Sequence, residues 1–332
     1  MDMEFFDSFD NLLGQLDVPK RVRALSADAT SDTLWPELQA SGFLDVMVPE
    51  SHGGAQLGWR QAWAVMFVAA RHGLPHPVAQ TMYARALLAH HGLSAADSPI
   101  AIAHAVRIDA QGGLAVRDIP SVRLASHVLA QAHDTLYLLP VDQARLANNA
   151  GFGSFDAGAS WDDKAVSAAR LSLAANVDLP HALALSLAVM LAGACDRVLE
   201  MTLQFARDRS QFGKPIGKFQ AVQQQIAEMA ELVYSARMAS QLGSQSDDWQ
   251  MALRCAEVAK TQTSLVAGRI AAIAHAVHAA IGVTEEYDLQ LYTRRLYEWS
   301  RGGAGGNYWA AHIGQAALGH DNLLDFMRTE VF

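Results

Sequence analysis

The sequence predicts a mainly α protein in which a small β domain separates an N-terminal helical domain from a C-terminal four-helix bundle. Three observations lead there. Apolar positions recur at helical spacing over the first and last stretches of the 332 residues. Between those stretches lie short apolar runs separated by Gly, Pro, Asp and Asn, which is the grammar of strands and turns. Apolar residues make up 51% of the chain and charged residues 18%. That excludes a disordered chain and leaves enough apolar surface for a large core.

Residues 1–98 are expected to form the N-terminal helical domain. Leu34, Leu38 and Gly42-Phe43-Leu44 sit at helical spacing before a break at Val48-Pro49-Glu50-Ser51-His52-Gly53-Gly54. Helices follow from about Gly58 to His72, closed by Gly73, and from about Val78 to His91, closed by Gly92. Residues 99–172 are expected to form the β domain, with strands around Ala101–Val106, Gly113–Val116, His127–Ala130 and Thr135–Leu139. Leu146 to Trp161, rich in Asn, Gly, Ala and Ser, reads as a flexible loop. Residues 173–332 are expected to form the bundle. His181 to Asp208 is apolar nearly all round and reads as its central helix. Phe219, Val222, Ile226, Met229, Val233 and Ala236 step by three and four along a second helix. Met251 to about Ala280 predicts a third, and Asn307 to Phe332 a fourth.

A net charge of −9, from 25 basic and 34 acidic side chains, argues against a general nucleic-acid binder. The longest uncharged stretch, Ala182–Cys195, is too short to span a bilayer, and the Met1-Asp2-Met3-Glu4 start carries acid where a secretory leader carries base. Cys195 and Cys255 lie in apolar helical patterns and read as buried thiols of a reducing compartment. The expectation is a cytoplasmic enzyme part or oligomer subunit with neither membrane nor nucleic-acid partner.

The most specific stretch joins the first two bundle helices: Ala206-Arg207-Asp208-Arg209-Ser210-Gln211-Phe212-Gly213-Lys214-Pro215-Ile216-Gly217-Lys218-Phe219-Gln220. Arg209 can grip a phosphate with its planar fork, Gly213 and Gly217 let backbone approach a ligand, and Gln220 offers donor and acceptor. The residues alone favour an ordinary helix–helix loop with solvated charges. The spacing Arg-x-x-Phe-Gly-x-x-Ile-x-x-x-Gln, however, resembles the flavin-binding signature of the acyl-CoA dehydrogenase family. Leu34-Trp35-x-x-Leu38-x-x-x-Gly42 with Val48-Pro49-Glu50-x-x-Gly53-Gly54 resembles that family's N-terminal domain. His278-Ala279-Ala280-Ile281-Gly282-Val283-Thr284-Glu285-Glu286-Tyr287, followed by Leu291-Tyr292-x-Arg294-Arg295, resembles its third bundle region.

The resemblance implies FAD-dependent α,β-dehydrogenation of an acyl-CoA thioester, with a carboxylate removing the α proton while hydride passes to the flavin. It implies that Arg209, Gln211, Phe212 and Gln220 serve the pyrophosphate and adenine end of a flavin whose ring lies in a neighbouring subunit. The family's catalytic Glu would fall at Gly303, within Arg301-Gly302-Gly303-Ala304-Gly305-Gly306, and the position used by some relatives would fall at Leu183. Neither is a carboxylate. The β domain, shortened to roughly 70 residues, also lacks the family's Thr-Glu-Pro-x-x-Gly-Ser-Asp and Trp-x-Asn stretches, which line the flavin ring. A missing general base alone costs about 10²–10⁴ in rate. The chain is thus similar to the short, non-catalytic subunits of α2β2 acyl-CoA dehydrogenases of bacterial steroid breakdown. Such a subunit implies a longer catalytic partner, a sterol-derived acyl-CoA in the complex and an electron-transferring flavoprotein as acceptor. The alternatives are a self-sufficient homomeric dehydrogenase with an unrecognised base, or a non-enzymatic scaffold of the same fold.

The remaining polar candidates read as structural. Glu298 is expected to be a solvated helix-end acid rather than a displaced base. Glu285 and Glu286 suit a helix N-terminus, and His90-His91 suits a helix C-terminus through its charge. Glu50 belongs to the Pro-Glu turn. His275 and His278 stand three apart on a helix, yet no third ligand accompanies them at metal-binding spacing. Ala279-Ala280 stands where the family carries Gly-Gly at the adenosine edge of the cofactor.

Overall fold

A computed structural model of the chain describes residues 3–27, 32–94, 97–147, 153–172 and 177–331. The N-terminal region folds into α1 (Met3–Gln15), α2 (Val18–Ala27), α3 (Leu34–Ala40), α4 (Trp59–Arg71) and α5 (Val78–His90). Burial explains the last two: every residue from Ala62 to Ala70, and every residue from Val78 to Ala89, is inside. α4 lies against the bundle's central helix so closely that a Cβ on Gly193 would stand 2.2 Å from the Phe67 carbonyl oxygen. Only glycine permits that approach. Trp59 and Trp63 complete the seam by donating their indole N–H groups to the Trp249 carbonyl at 2.8 Å and to Ser240 Oγ at 3.0 Å.

The middle region holds β1 (Ile100–Ile102), β2 (Arg107–Ile108), β3 (Leu114–Ile119), β4 (His127–Ala132), β5 (Thr135–Pro140), β6 (Arg145–Leu146), β7 (Ala157–Trp161), the short helix α6 (Asp163–Ala168) and β8 (Arg170–Leu171). They form two four-stranded sheets, ordered β1-β4-β5-β8 and β2-β3-β7-β6. Val128, Ala130 and Leu139 meet Leu114, Val116, Ala157 and Ala159 between the sheets. Leu129 and Leu136 point the other way, into the helical core. This is the period of two expected of a sheet buried on both faces.

β7 corrects the reading of Leu146–Trp161 as a flexible loop. Its small residues mark close packing: a Cβ on Gly158 would lie 2.6 Å from the Arg117 carbonyl oxygen. Ala and Gly are used there because the neighbouring strand leaves no space, and composition alone does not separate that from flexibility. Residues 148–152 of that stretch lie outside those described.

The bundle consists of α7 (Leu179–Asp208), a two-residue-looped hairpin of β9 (Ser210–Gln211) and β10 (Lys214–Pro215), α8 (Gln220–Gly243), α9 (Leu253–His278), α10 (Leu289–Arg301), α11 (Gly305–Ala317) and the short α12 (Leu323–Phe326). The expected fourth helix over 307–332 is therefore replaced by two pieces, and α10 begins well before it. Leu289, Tyr292, Leu296 and Trp299 step along the buried face of α10. The helix cannot run on, because Gly303, Ala304 and Gly305 all adopt positive φ. By length and composition α7 and the segment Leu253–Val283 could cross a bilayer, which corrects the reading from the uncharged run alone. The most apolar part of α7 is nevertheless 89% buried by its neighbours, as befits the bundle's central strut.

Candidate functional site

The expected site residues occupy the two ends of α7. At its C-terminal end, Arg209 leaves the helix with ψ of 116°. Gln211 pairs with Lys214, and Phe212 and Gly213 turn the chain with φ of 51° and 80°. Two successive left-handed residues make the type I′ hairpin turn, which glycine enters freely. Phe212 enters it at a cost of about 1–2 kcal/mol. The strained ring is 91% exposed and stands edge-on to Phe219, 6.2 Å away. Lys214 Nζ sits 4.4 Å above the Phe219 ring, and Gln223 donates to the Gly217 carbonyl at 3.0 Å. The loop's shape is thus held by backbone and by Lys214, Phe219 and Gln223. Arg209, Gln211, Phe212 and Gln220 are all left exposed. Among the described residues no side chain pairs with the Arg209 guanidinium.

At the N-terminal end the two expected base positions come together. A Cβ on Gly303 would lie 3.3 Å from Leu183 and 3.2 Å from Leu187. Residues far apart in sequence therefore border one spot, and leucine side chains fill it. The Trp309 indole donates to the Gly303 carbonyl at 2.8 Å, and the buried Lys260 ammonium donates to the Trp299 carbonyl. Both fix the α10–α11 turn. Burial pushes the Lys260 ammonium down to about 7. The cavity that Leu187 shares with His76, Gln80, Ser121, Ser186 and Trp299 measures only about 10 Å³. That is room for one water at most.

Glu298 corrects the expectation of a solvated acid. Its side chain is 14% exposed and paired with the buried Arg295. Arg295 in turn donates to the Gly153 carbonyl of the middle region. His90 ends α5 and His91 caps it, as expected; the His90 ring stacks on Trp249 at 4.8 Å, and partial burial lowers its pKa. His275 faces Thr293 Oγ1 at 3.0 Å while His278 faces the Ala274 carbonyl at 2.8 Å, so the two rings do not converge. Lys260, Trp309 and Arg295 were missed in sequence. Lys260 left a signal there, as one of two charges, with Glu257, on the buried face that carries Cys255, Ala256, Ala259 and Thr263.

About 39 Å of helix separates the two ends, at 1.5 Å per residue from Leu183 to Arg209. The exposed loop therefore cannot serve the spot beside Gly303 in its own chain.

Residues 14–107 match the family model described as acyl-CoA dehydrogenase, N-terminal domain, and residues 181–303 match the one described as acyl-CoA dehydrogenase, C-terminal domain. The chain belongs to the acyl-CoA dehydrogenase family. Among curated members, the acyl-CoA dehydrogenase IpdE2 of Mycolicibacterium smegmatis is 33% identical over 116 residues, 34% of this chain and 35% of that protein. The chain aligns with between 35% and 38% of the length of the first curated relatives it matches. The acyl-CoA dehydrogenase fold extends over the whole molecule. The structure of the ChsE4-ChsE5 complex from Mycobacterium tuberculosis superposes with a TM-score of 0.78 at 20% identity, covering 96% of this chain and 97% of that one. The Tcur3481-Tcur3483 steroid ACAD superposes with a TM-score of 0.76 at 24% identity, over 94% and 97%.

One departure from the family's glycines is visible in the backbone. Ala279, at the end of α9, holds φ 55° and ψ −141°, a region open essentially to glycine alone. The family's Gly-Gly would sit there without strain.

Proposed function

We propose that this chain is the non-catalytic subunit of a heteromeric, FAD-dependent acyl-CoA dehydrogenase, and that it completes a flavin site on a longer catalytic partner. The observation that carries the reading is the filled spot at Gly303. Both expected base positions meet there, neither bears a carboxylate, and the neighbouring cavity of about 10 Å³ admits no acyl group. General-base chemistry needs a carboxylate within hydrogen-bond reach of the α proton, and leucine side chains stand at that spot instead.

The exposed loop fits the other half of the role. Arg209 offers an unpaired fork for a pyrophosphate, Gln211 and Gln220 offer donors and acceptors, and Phe212 offers an apolar face for an adenine or a partner surface. Bound flavin would supply the hydride acceptor, and this chain's residues would anchor its nucleotide end. The heteromeric pairs among similar structures, one of them titled a steroid ACAD, support an α2β2 assembly acting on a steroid-derived CoA thioester. Electron-transferring flavoprotein is the acceptor this reading implies.

The decisive measurement is the visible flavin spectrum of the chain alone and of its complex with a longer partner. The chain alone should be colourless, and the complex yellow. Arg209→Ala should weaken flavin retention by the complex about 10- to 100-fold, the worth of a charge-assisted hydrogen bond. A yellow, active chain without a partner would overturn the reading. An unaffected Arg209→Ala complex would remove the loop from the cofactor site.

A further inference from the structure

A buried charge cluster joins the middle domain to the bundle. Arg295 on α10 is 2% exposed; it pairs with Glu298 and donates Nη2 to the Gly153 carbonyl at 2.7 Å. Its guanidinium lies 4.9 Å from the Phe155 ring centroid, and its Nε has no partner among the described residues. Asp156, next along the middle-domain segment, accepts the Ser121 N–H at 2.8 Å. At the end of α10, a Cβ on Gly302 would meet Pro120 at 3.0 Å. Two segments of the middle domain, around residues 120 and 155, therefore close on the last turn of α10.

The charged groups facing Asp156 are Glu298 and Arg295 from α10 and Asp118 from β3. Arg294 adds positive charge beside Arg295. Asp156 follows Phe155, whose ring lies on the Arg295 guanidinium, so its ionised carboxylate would be a second negative charge near Glu298 in a place with little water. Burial, then the charge of Glu298, push the Asp156 carboxyl up to about 7. Burial also raises the Asp118 carboxyl.

We propose that Asp156 is a proton-operated latch between the middle domain and the bundle. With its proton, the carboxyl seats beside the Arg295–Glu298 pair. When the proton passes to solvent, the seat loosens. The ordinary value of 3.8 is raised on folding, so the stability it contributes is complete below 3.8 and drains away as pH rises to about 7. Above that it stays level. Across the window the closed state holds one more proton than the open state, so opening grows by up to tenfold per pH unit.

The test is amide hydrogen exchange of β7 in the full chain between pH 5 and 8, corrected for intrinsic base catalysis, with the core amides of α9 as reference. In the wild type, β7 opening should rise relative to α9 up to about pH 7 and then level off. Asp156→Asn keeps an acceptor for Ser121 and should abolish the rise. Equal pH slopes in the two proteins, or a wild type without any slope, would overturn the latch. Should Asp156→Asn fail to fold, Glu298→Gln answers the same question. Removing that neighbouring charge should move the levelling-off to lower pH, and an unmoved levelling-off would count against the proposal.

Discussion

The two ends of α7 have opposite constructions. The C-terminal end spends backbone strain on holding Phe212 out in solvent, and leaves Arg209 without a side-chain partner among the described residues. The N-terminal end is packed shut: Leu183 and Leu187 close on Gly303, and Trp309 and Lys260 tie the adjoining turn through backbone carbonyls. An isolated protein gains nothing from the first arrangement, since strain and an exposed ring both cost free energy. The second gains packing and gives up any chemistry that a carboxylate would perform there. The contrast teaches that one end of the helix is built open to a partner or ligand and the other is built only to pack.

The sharpest way to break that contrast is to restore the acid. Gly303→Glu places a side chain at φ 63° against Leu183 and Leu187. It should cost about 3 kcal/mol in urea unfolding and yield no turnover by the chain alone. Acyl-CoA oxidation by the variant would show that the closed end is only one substitution away from an active site. A smaller effect is expected from Glu298→Gln, which leaves Arg295 with a neutral acceptor. Stability should fall by about 2 kcal/mol, while turnover of the assembled complex stays within twofold. A large loss of turnover without loss of fold would make Glu298 the base after all. The smallest effect concerns the strained edge of α9. Ala279→Gly should raise the unfolding free energy by about 1 kcal/mol, because glycine takes that backbone region freely. An unchanged or lower stability would mean that the strain is offset locally.

Much of the fold was legible in the sequence because helices and strands impose different apolar periods. The step of three and four from Phe219 to Ala236 marked the inner face of α8. Met229, Val233 and Ala236 are among its buried residues. Where period failed, so did the reading. β7 has too few large side chains to show a period of two, and α10 mixes Arg and Tyr into its buried face. Its membership of the core follows from where Leu289, Tyr292, Leu296 and Trp299 point after the bundle has closed.

The candidate site divides in the same way. The loop from Arg209 to Gln220 is local, so its spacing could be read in one line of sequence, as could the lack of a carboxylate at positions 183 and 303. That these two positions touch could not be read, because nothing local relates residues 120 apart. The burial of Glu298 is of the same kind: its environment is built by Arg295 from its own helix and by Asp156 from another domain. By itself the sequence determined the order of the helical, β and bundle regions, the spacing of the Arg209–Gln220 loop and the lack of acid at positions 183 and 303, all properties of near neighbours along the chain. Only the tertiary structure decided which cavity closed, which charges lost their water and which residues met, since packing and desolvation depend on groups that the chain brings together only when it folds.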